Sequence, residues 1–106
     1  MPELEITASE LHDELSAAKP PLLIDVRNPW EHEIARIEGS TLIPLDTLQA
    51  RLGEIEPDRR LVVYCHHGMR SLVAAQFLQQ AGLEVRSLQG GIDHWSRSID
   101  PDVPRY

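Results

Sequence analysis

The run Leu61-Val62-Val63-Tyr64 is uninterrupted in apolar character, with Arg59-Arg60 before it and Cys65-His66-His67-Gly68 after it. A run this short reads as a strand, and without polar alternation it predicts burial on both faces, as in a parallel sheet covered by helices. Leu22 to Val26 repeats the pattern and is broken only by Asp25, a carboxylate that needs a partner in such a place. Two such runs point to a parallel sheet.

Helical patterns alternate with these runs. Thr7 and Glu10 have the capping-box spacing and open a helix with Leu11, Leu15 and Ala18 on one face, which Lys19-Pro20-Pro21 ends. Asn28-Pro29-Trp30-Glu31 starts a second helix, predicted to run through Ala35. Leu45, Leu48, Leu52 and Ile55 recur at helical spacing and predict a third, closed by Glu56-Pro57-Asp58. Leu72 to Ala81 predicts a fourth, with an apolar stripe of Ala74, Phe77, Leu78 and Ala81 and Gly82 at its C-cap. Ile92 to Ile99, anchored by Trp95, predicts the last. Leu4 to Ile6, Thr41 to Ile43 and Glu84 to Leu88 are further short strands, and Gly90-Gly91 is a turn. The expected architecture is α/β, three layers with a central, mostly parallel sheet and helices on both faces, in one domain over residues 1–106.

The stretch Cys65-His66-His67-Gly68-Met69-Arg70-Ser71 falls where the buried strand hands over to a helix. Unpaired N–H groups and the helix dipole at such a junction favour an anion, here a Cys65 thiolate or an anionic substrate. Cys65 is the only cysteine, so it has no disulfide partner within the chain and is either a small buried hydrophobe or a reagent. The neighbouring Gly68 and Arg70 favour the reagent. Arg70 keeps its charge at any working pH and offers a planar fork of donors suited to an oxyanion. Gly68 lets the loop turn its amides inward.

His66 and His67 are read as loop residues that tune charge or contact the acceptor. Adjacent side chains on a tight loop rarely converge on a metal, and no metal or cofactor is demanded by any residue set. Met69 either lines the entrance or packs, and Ser71 either caps the helix or touches substrate. Asp25 and Arg27 are expected to make structural ion pairs or hydrogen bonds below the loop rather than to do chemistry. Trp30 and Trp95 are expected to pack at the core or rim, and His12, His32 and His94 to be ordinary surface or boundary residues.

Lys and Arg number 10 against 17 Asp and Glu, a formal charge of −7, which argues against nucleic acid or an anionic membrane as the main partner. The N-terminus has neither a basic nor an apolar leader region, and no apolar run approaches membrane-spanning length, so a cytoplasmic location is expected.

Three separated stretches together resemble the rhodanese family of sulfurtransferases. Asp25-Val26-Arg27 with Glu31, Ile37, Gly39 and Ile43-Pro44 is similar to the family's first motif region, Cys65 to Ser71 to its active-site loop, and Gly90-Gly91-Ile92 with Trp95 to its closing motif. Where the family often has Gly-His-Ile-Pro-Gly-Ala, this chain has Ala35-Arg36-Ile37-Glu38-Gly39-Ser40. The tail from Asp100 to Tyr106 is similar to the end of rhodanese modules attached to adenylating enzymes of sulfur-carrier pathways.

The resemblance implies a persulfide on Cys65, with thiosulfate or a persulfide as sulfur donor and a protein as acceptor or carrier. His66 to Ser71 would form the substrate-binding loop. Four residues separate Cys65 from Arg70, one fewer than in phosphatase loops that resemble Cys-x5-Arg, which favours sulfur over phosphate. A protein-binding or sulfur-relay module without thiosulfate turnover is the alternative from another class, and a phosphatase or arsenate reductase is a third reading.

Overall fold

Leu61–Tyr64 forms the predicted strand, and it lies in the middle of the sheet. The computed structural model describes residues 4–106. In chain order the elements are β1 Glu5–Ile6, α1 Ala8–Leu15, β2 Leu22–Asp25, α2 Pro29–Ile34, β3 Thr41–Leu42, 3-10 turns at Leu45–Thr47 and Leu52–Glu54, β4 Leu61–Tyr64, α3 Met69–Gln80, β5 Val85–Leu88 and α4 Gly91–Ser98. The five strands run in the order β1-β5-β4-β2-β3, and every pairing is parallel.

Strand side chains alternate between two cores, as a period of two requires. Val62 and Tyr64 of β4 enter one core with Ile6, Leu11, Leu23, Ile37, Ile92 and Trp95. Leu61, Val63 and Cys65 enter the other with Ile24, Leu48, Ala74, Ala75 and Leu78. Helices α1 and α4 therefore cover one face, and α3 with the first 3-10 turn covers the other. The cysteine sulfur lies on the α3 side.

Strand order also fixes where a site can form. The chain leaves β2 toward β3 and leaves β4 toward β5, in opposite directions from two adjacent strands. Their C-terminal ends thus part at a crevice, the switch point at which open α/β sheets bind ligands. Asp25 pairs in register with Tyr64, so Val26 and Cys65 leave the sheet side by side.

Several elements differ from expectation. Residues 45–55 form two separate 3-10 turns instead of one helix; Leu48 and Ile55 are still buried, because their apolar spacing also suits consecutive tight turns. Helix α1 stops at Leu15, which leaves Ala18 beyond it and exposed. Helix α3 begins at Met69, three residues before the Leu72 of the apolar pattern. Gly68, at φ +108°, closes the loop, and its carbonyl accepts the Leu72 N–H. Ala81 is exposed at the end of α3, and Ala75 takes the buried position instead.

Candidate active site

The loop between β4 and α3 spans residues 65–68, so Met69, Arg70 and Ser71 belong to the first helical turn. Cys65 is 1% exposed. Its sulfur accepts the Gly68 N–H at 3.1 Å and the Ser71 N–H at 3.4 Å, and the Ser71 hydroxyl lies 3.5 Å away. Two backbone N–H donors therefore converge on one sulfur, with a hydroxyl beside it, a setting that favours an anion.

The loop's carbonyl side is anchored by another helix. Ile92 and Asp93, whose N–H groups at the start of α4 have no partner within that helix, donate to the carbonyls of Cys65 (2.9 Å) and His66 (3.1 Å). This approach is so close that a Cβ on Gly91 would sit 2.6 Å from the Cys65 oxygen and overlap the His66 carbonyl. Gly91 also has φ +62°. Glycine is thus required there by both contact and conformation.

Beneath the loop, Asp25 finds its partner in Arg27, and neither is exposed to solvent. The Arg27 Nε and Nη2 donate to the two carboxylate oxygens at 2.8 and 2.6 Å, Nη2 also reaches the Ala35 carbonyl, and Nη1 donates to the Tyr106 hydroxyl at 2.7 Å. Burial alone would lower the Arg27 pKa, but the bonds to Asp25 and Tyr106 outweigh it and raise it. His32 is more than a boundary residue, since its Nδ1 lies 2.8 Å from the second Asp25 oxygen.

Arg70 is directed at Glu31. Nη1 and Nη2 donate to Oε1 and Oε2 at 2.6 and 2.8 Å in a bidentate pair. Glu31 also accepts the Asn28 N–H and the Tyr106 hydroxyl, at 3.1 and 2.6 Å. The bond to Arg70 comes first among the causes that hold the Glu31 carboxyl at about 2, against the opposing effect of burial. The fork that the sequence offers to an oxyanion is thus engaged within the protein, and the donors aimed at the sulfur are backbone N–H groups.

Tyr106 joins the two ion pairs and also flanks the loop. Its ring stacks on His66 at 4.0 Å, His66 stacks on His67 at 4.0 Å, and Trp30 meets the tyrosine edge-on at 6.1 Å. Burial, then the nearby His67, lower the His66 pKa. His66, His67 and Asp93 bring ligand atoms within 4.8 Å of one another. Stacked rings keep their in-plane lone pairs in two separate, nearly parallel planes, however, and Asp93 is already paired with Arg105 at 2.9 Å and Arg97 at 3.2 Å. That arrangement does not suit a cation held about 2 Å from each nitrogen.

Ser71 does not cap α3, a position held by Gly68; its hydroxyl turns to the sulfur and to Ser87. Met69 is 77% exposed at the loop's edge, Trp30 lies at the rim, and Trp95 is core. Sequence reasoning did not assign Glu31, Tyr106, Asp93 or Ser87 to the site. Glu31 carried a signal, since it lies three residues past a helix cap, but its longer-range partners are 39 and 75 residues away. A separate cleft of about 490 Å³, lined by Arg60, Gln79, Leu83 and Arg86, lies at the opposite end of β4 and β5 from Cys65.

A helix-covered parallel sheet whose central strand delivers a buried thiol into the N–H groups of a helix start defines an α/β domain built around a loop-borne cysteine. The chain belongs to the rhodanese-like domain family, which it matches over residues 7–98. It is 38% identical over 104 residues to the probable adenylyltransferase/sulfurtransferase MoeZ of Mycobacterium tuberculosis, covering 95% of this chain and 26% of that protein. The chain therefore spans about a quarter of the length of that relative. It is 36% identical over 100 residues to a sulfurtransferase of Allochromatium vinosum, covering 93% of this chain and 94% of the relative. Among solved structures, a rhodanese-related protein from Thermoplasma volcanium superposes with a TM-score of 0.85 at 33% identity, covering 96% of this chain and 98% of that one.

Proposed function

We propose that this chain is a sulfurtransferase that carries sulfane sulfur as a persulfide on Cys65. The observation that carries the reading is the convergence of the Gly68 N–H and the Ser71 N–H on the sulfur of the only cysteine, with the Ser71 hydroxyl beside it. Family membership and relatives named sulfurtransferases support it.

In the first step the Cys65 thiolate attacks the outer sulfur of thiosulfate or a persulfide donor. A new S–S bond forms, the donor's S–S bond breaks, and sulfite or a thiolate leaves with the electron pair. In the second step an acceptor thiolate attacks the outer sulfur of the Cys65 persulfide, takes it, and returns Cys65 as thiolate. The loop N–H groups stabilise the anionic sulfur before and after each transfer. Arg70, fixed by Glu31, holds the first turn of α3 and contributes positive charge near Cys65. His66, His67 and Met69 form the mouth, and Asp25 with Arg27 supports the loop's base. Such covalent relay predicts ping-pong kinetics.

The large apolar side chains exposed among the described residues are Trp30, Ile34, Met69 and Val73. All lie on α2 and α3, the helices joined by Glu31 and Arg70 beside the loop. Their placement favours a protein as sulfur acceptor. No helix among the described residues is long and apolar enough to cross a membrane. A cytoplasmic setting, where thiols stay reduced, is part of the proposal.

The test is intact mass after incubation with thiosulfate. A gain of one sulfur on wild type and none on Cys65→Ser is expected. No gain on wild type, or an equal gain on the serine variant, overturns the reading for this donor.

A further inference from the structure

We infer that Ser87 is a positioning residue which, through Ser71, keeps a hydroxyl proton available to the Cys65 sulfur. The inference deepens the sulfurtransferase reading and rests on its assignment of Cys65 as the group that becomes a thiolate. It follows from counting protons among fully buried groups.

Ser87 on β5 and Ser71 in the first turn of α3 are both 0% exposed, with their Oγ atoms 2.7 Å apart. Among the described residues the Ser87 hydroxyl hydrogen-bonds with the Ser71 hydroxyl, and no buried side-chain polar atom lacks a partner. With Cys65 as a thiol, its S–H donates to the Ser71 oxygen at 3.5 Å, and Ser71 donates its own proton to the Gly68 carbonyl at 3.3 Å. A hydroxyl has one proton to give. The bond between the serines must therefore run from Ser87 to Ser71.

When Cys65 loses its proton, the Ser71 oxygen loses a donor, and its O–H is free to swing from Gly68 to the sulfur. The Gly68 carbonyl keeps the Leu72 N–H at 3.1 Å, so the swing strands no acceptor. Ser87 continues to donate to Ser71, which polarises the Ser71 O–H toward the thiolate. Without the Ser87 hydroxyl, the Ser71 oxygen has no donor in the thiolate state, and the arrangement that favours the anion weakens. Ser87 itself does not touch the sulfur in this scheme.

The test follows thiolate formation by ultraviolet absorbance in wild type, Ser87→Ala, Ser71→Ala and the double variant. Cys65 is the sole cysteine, so the signal has one source. Tyr64 and Tyr106, both pushed up to about 12 with burial as the leading cause, ionise well above the range of interest. The four proteins share the same charged and titratable groups around the loop: Arg70 with Glu31, Arg27 with Asp25, His66, and His67 with Asp93. Loss of a hydrogen bond of this kind in Ser87→Ala is expected to move the midpoint up by roughly half to one pH unit. The double variant should match Ser71→Ala, because Ser87 acts through Ser71.

Ser87→Thr keeps the hydroxyl and should retain the wild-type profile, which separates loss of the bond from disturbance of β5. A Ser87→Ala profile that overlays wild type, a double variant showing the full sum of the single effects, or a threonine variant displaced as far as alanine overturns the proposal. The titration requires no sulfur donor. A protein that forms no persulfide yet shows this coupling refutes the transfer reading and leaves the role of Ser87 intact.

Discussion

Glu31 accepts four hydrogen bonds, two from Arg70 and one each from Asn28 and Tyr106, and a buried carboxylate with every position filled strongly favours its charged form. Its folded-state value of about 2 lies below the ordinary 4.5, so the stabilisation is complete above about pH 4.5 and is lost as pH falls through about 2. The shift corresponds to at most about 3 kcal/mol, reduced by solvent screening on the Arg70 side. Urea denaturation over that range is expected to show wild type losing this increment while Glu31→Gln, already weaker at neutrality by roughly 2–4 kcal/mol, lacks that part of the acid decline. An unchanged acid limb in the variant would show that other carboxylates carry it. Asp25 and Arg27 illustrate the complementary point: their burial imposes a desolvation cost, and what they secure is the fixed geometry of the loop's base.

At the scale of elements, the loop is held between two helix starts. Helix α3 supplies N–H groups toward the sulfur, and α4 supplies N–H groups to the opposite, carbonyl side. Gly91 is where the second contact becomes sterically exclusive. Gly91→Ala is expected to cost roughly 3 kcal/mol or more, from left-handed strain plus a clash with backbone, and to move the Cys65 loop. Gly39→Ala provides the comparison: its φ is +85°, but a Cβ there meets nothing within 4 Å, so roughly 1–2 kcal/mol of strain alone is expected. Thermal unfolding of the pair checks the difference, and equal losses would mean that the contact at Gly91 relaxes without cost. Helix α1 has a more local dependence on its cap, where the Thr7 N–H donates to the Glu10 carboxylate at 3.0 Å and the Glu10 N–H to the Thr7 hydroxyl at 3.1 Å.

Across the whole molecule, β4 has strands on both sides and a core on both faces, whereas β1 and β3 are two-residue edge strands. Hydrogen exchange should therefore be slowest in β4 and its partners β2 and β5, and faster in the edges and the 3-10 turns over 45–55. Exchange in β4 as fast as in those turns would contradict a stability centred beneath the Cys65 loop. The apolar runs at 22–26 and 61–64 were sufficient to predict buried parallel strands, because a strand covered on both faces has little room for polar side chains. The 45–55 segment was misread as one helix because the same leucine spacing serves two tight turns, and only packing chooses between them. Cys65, Gly68 and the strand-to-helix setting were legible as a local anion site, since their geometry depends on neighbours in sequence. The direction of the Arg70 fork, the wedge of Tyr106 and the meeting of Ser71 with Ser87 depend on side chains from distant elements. The sequence by itself determined the sheet, the loop and the thiol, because short-range periodicity and backbone chemistry encode them. Tertiary structure alone decided which groups surround that thiol, because the strand order brings the ends of β2, β4 and β5 and the C-terminal tail to one crevice.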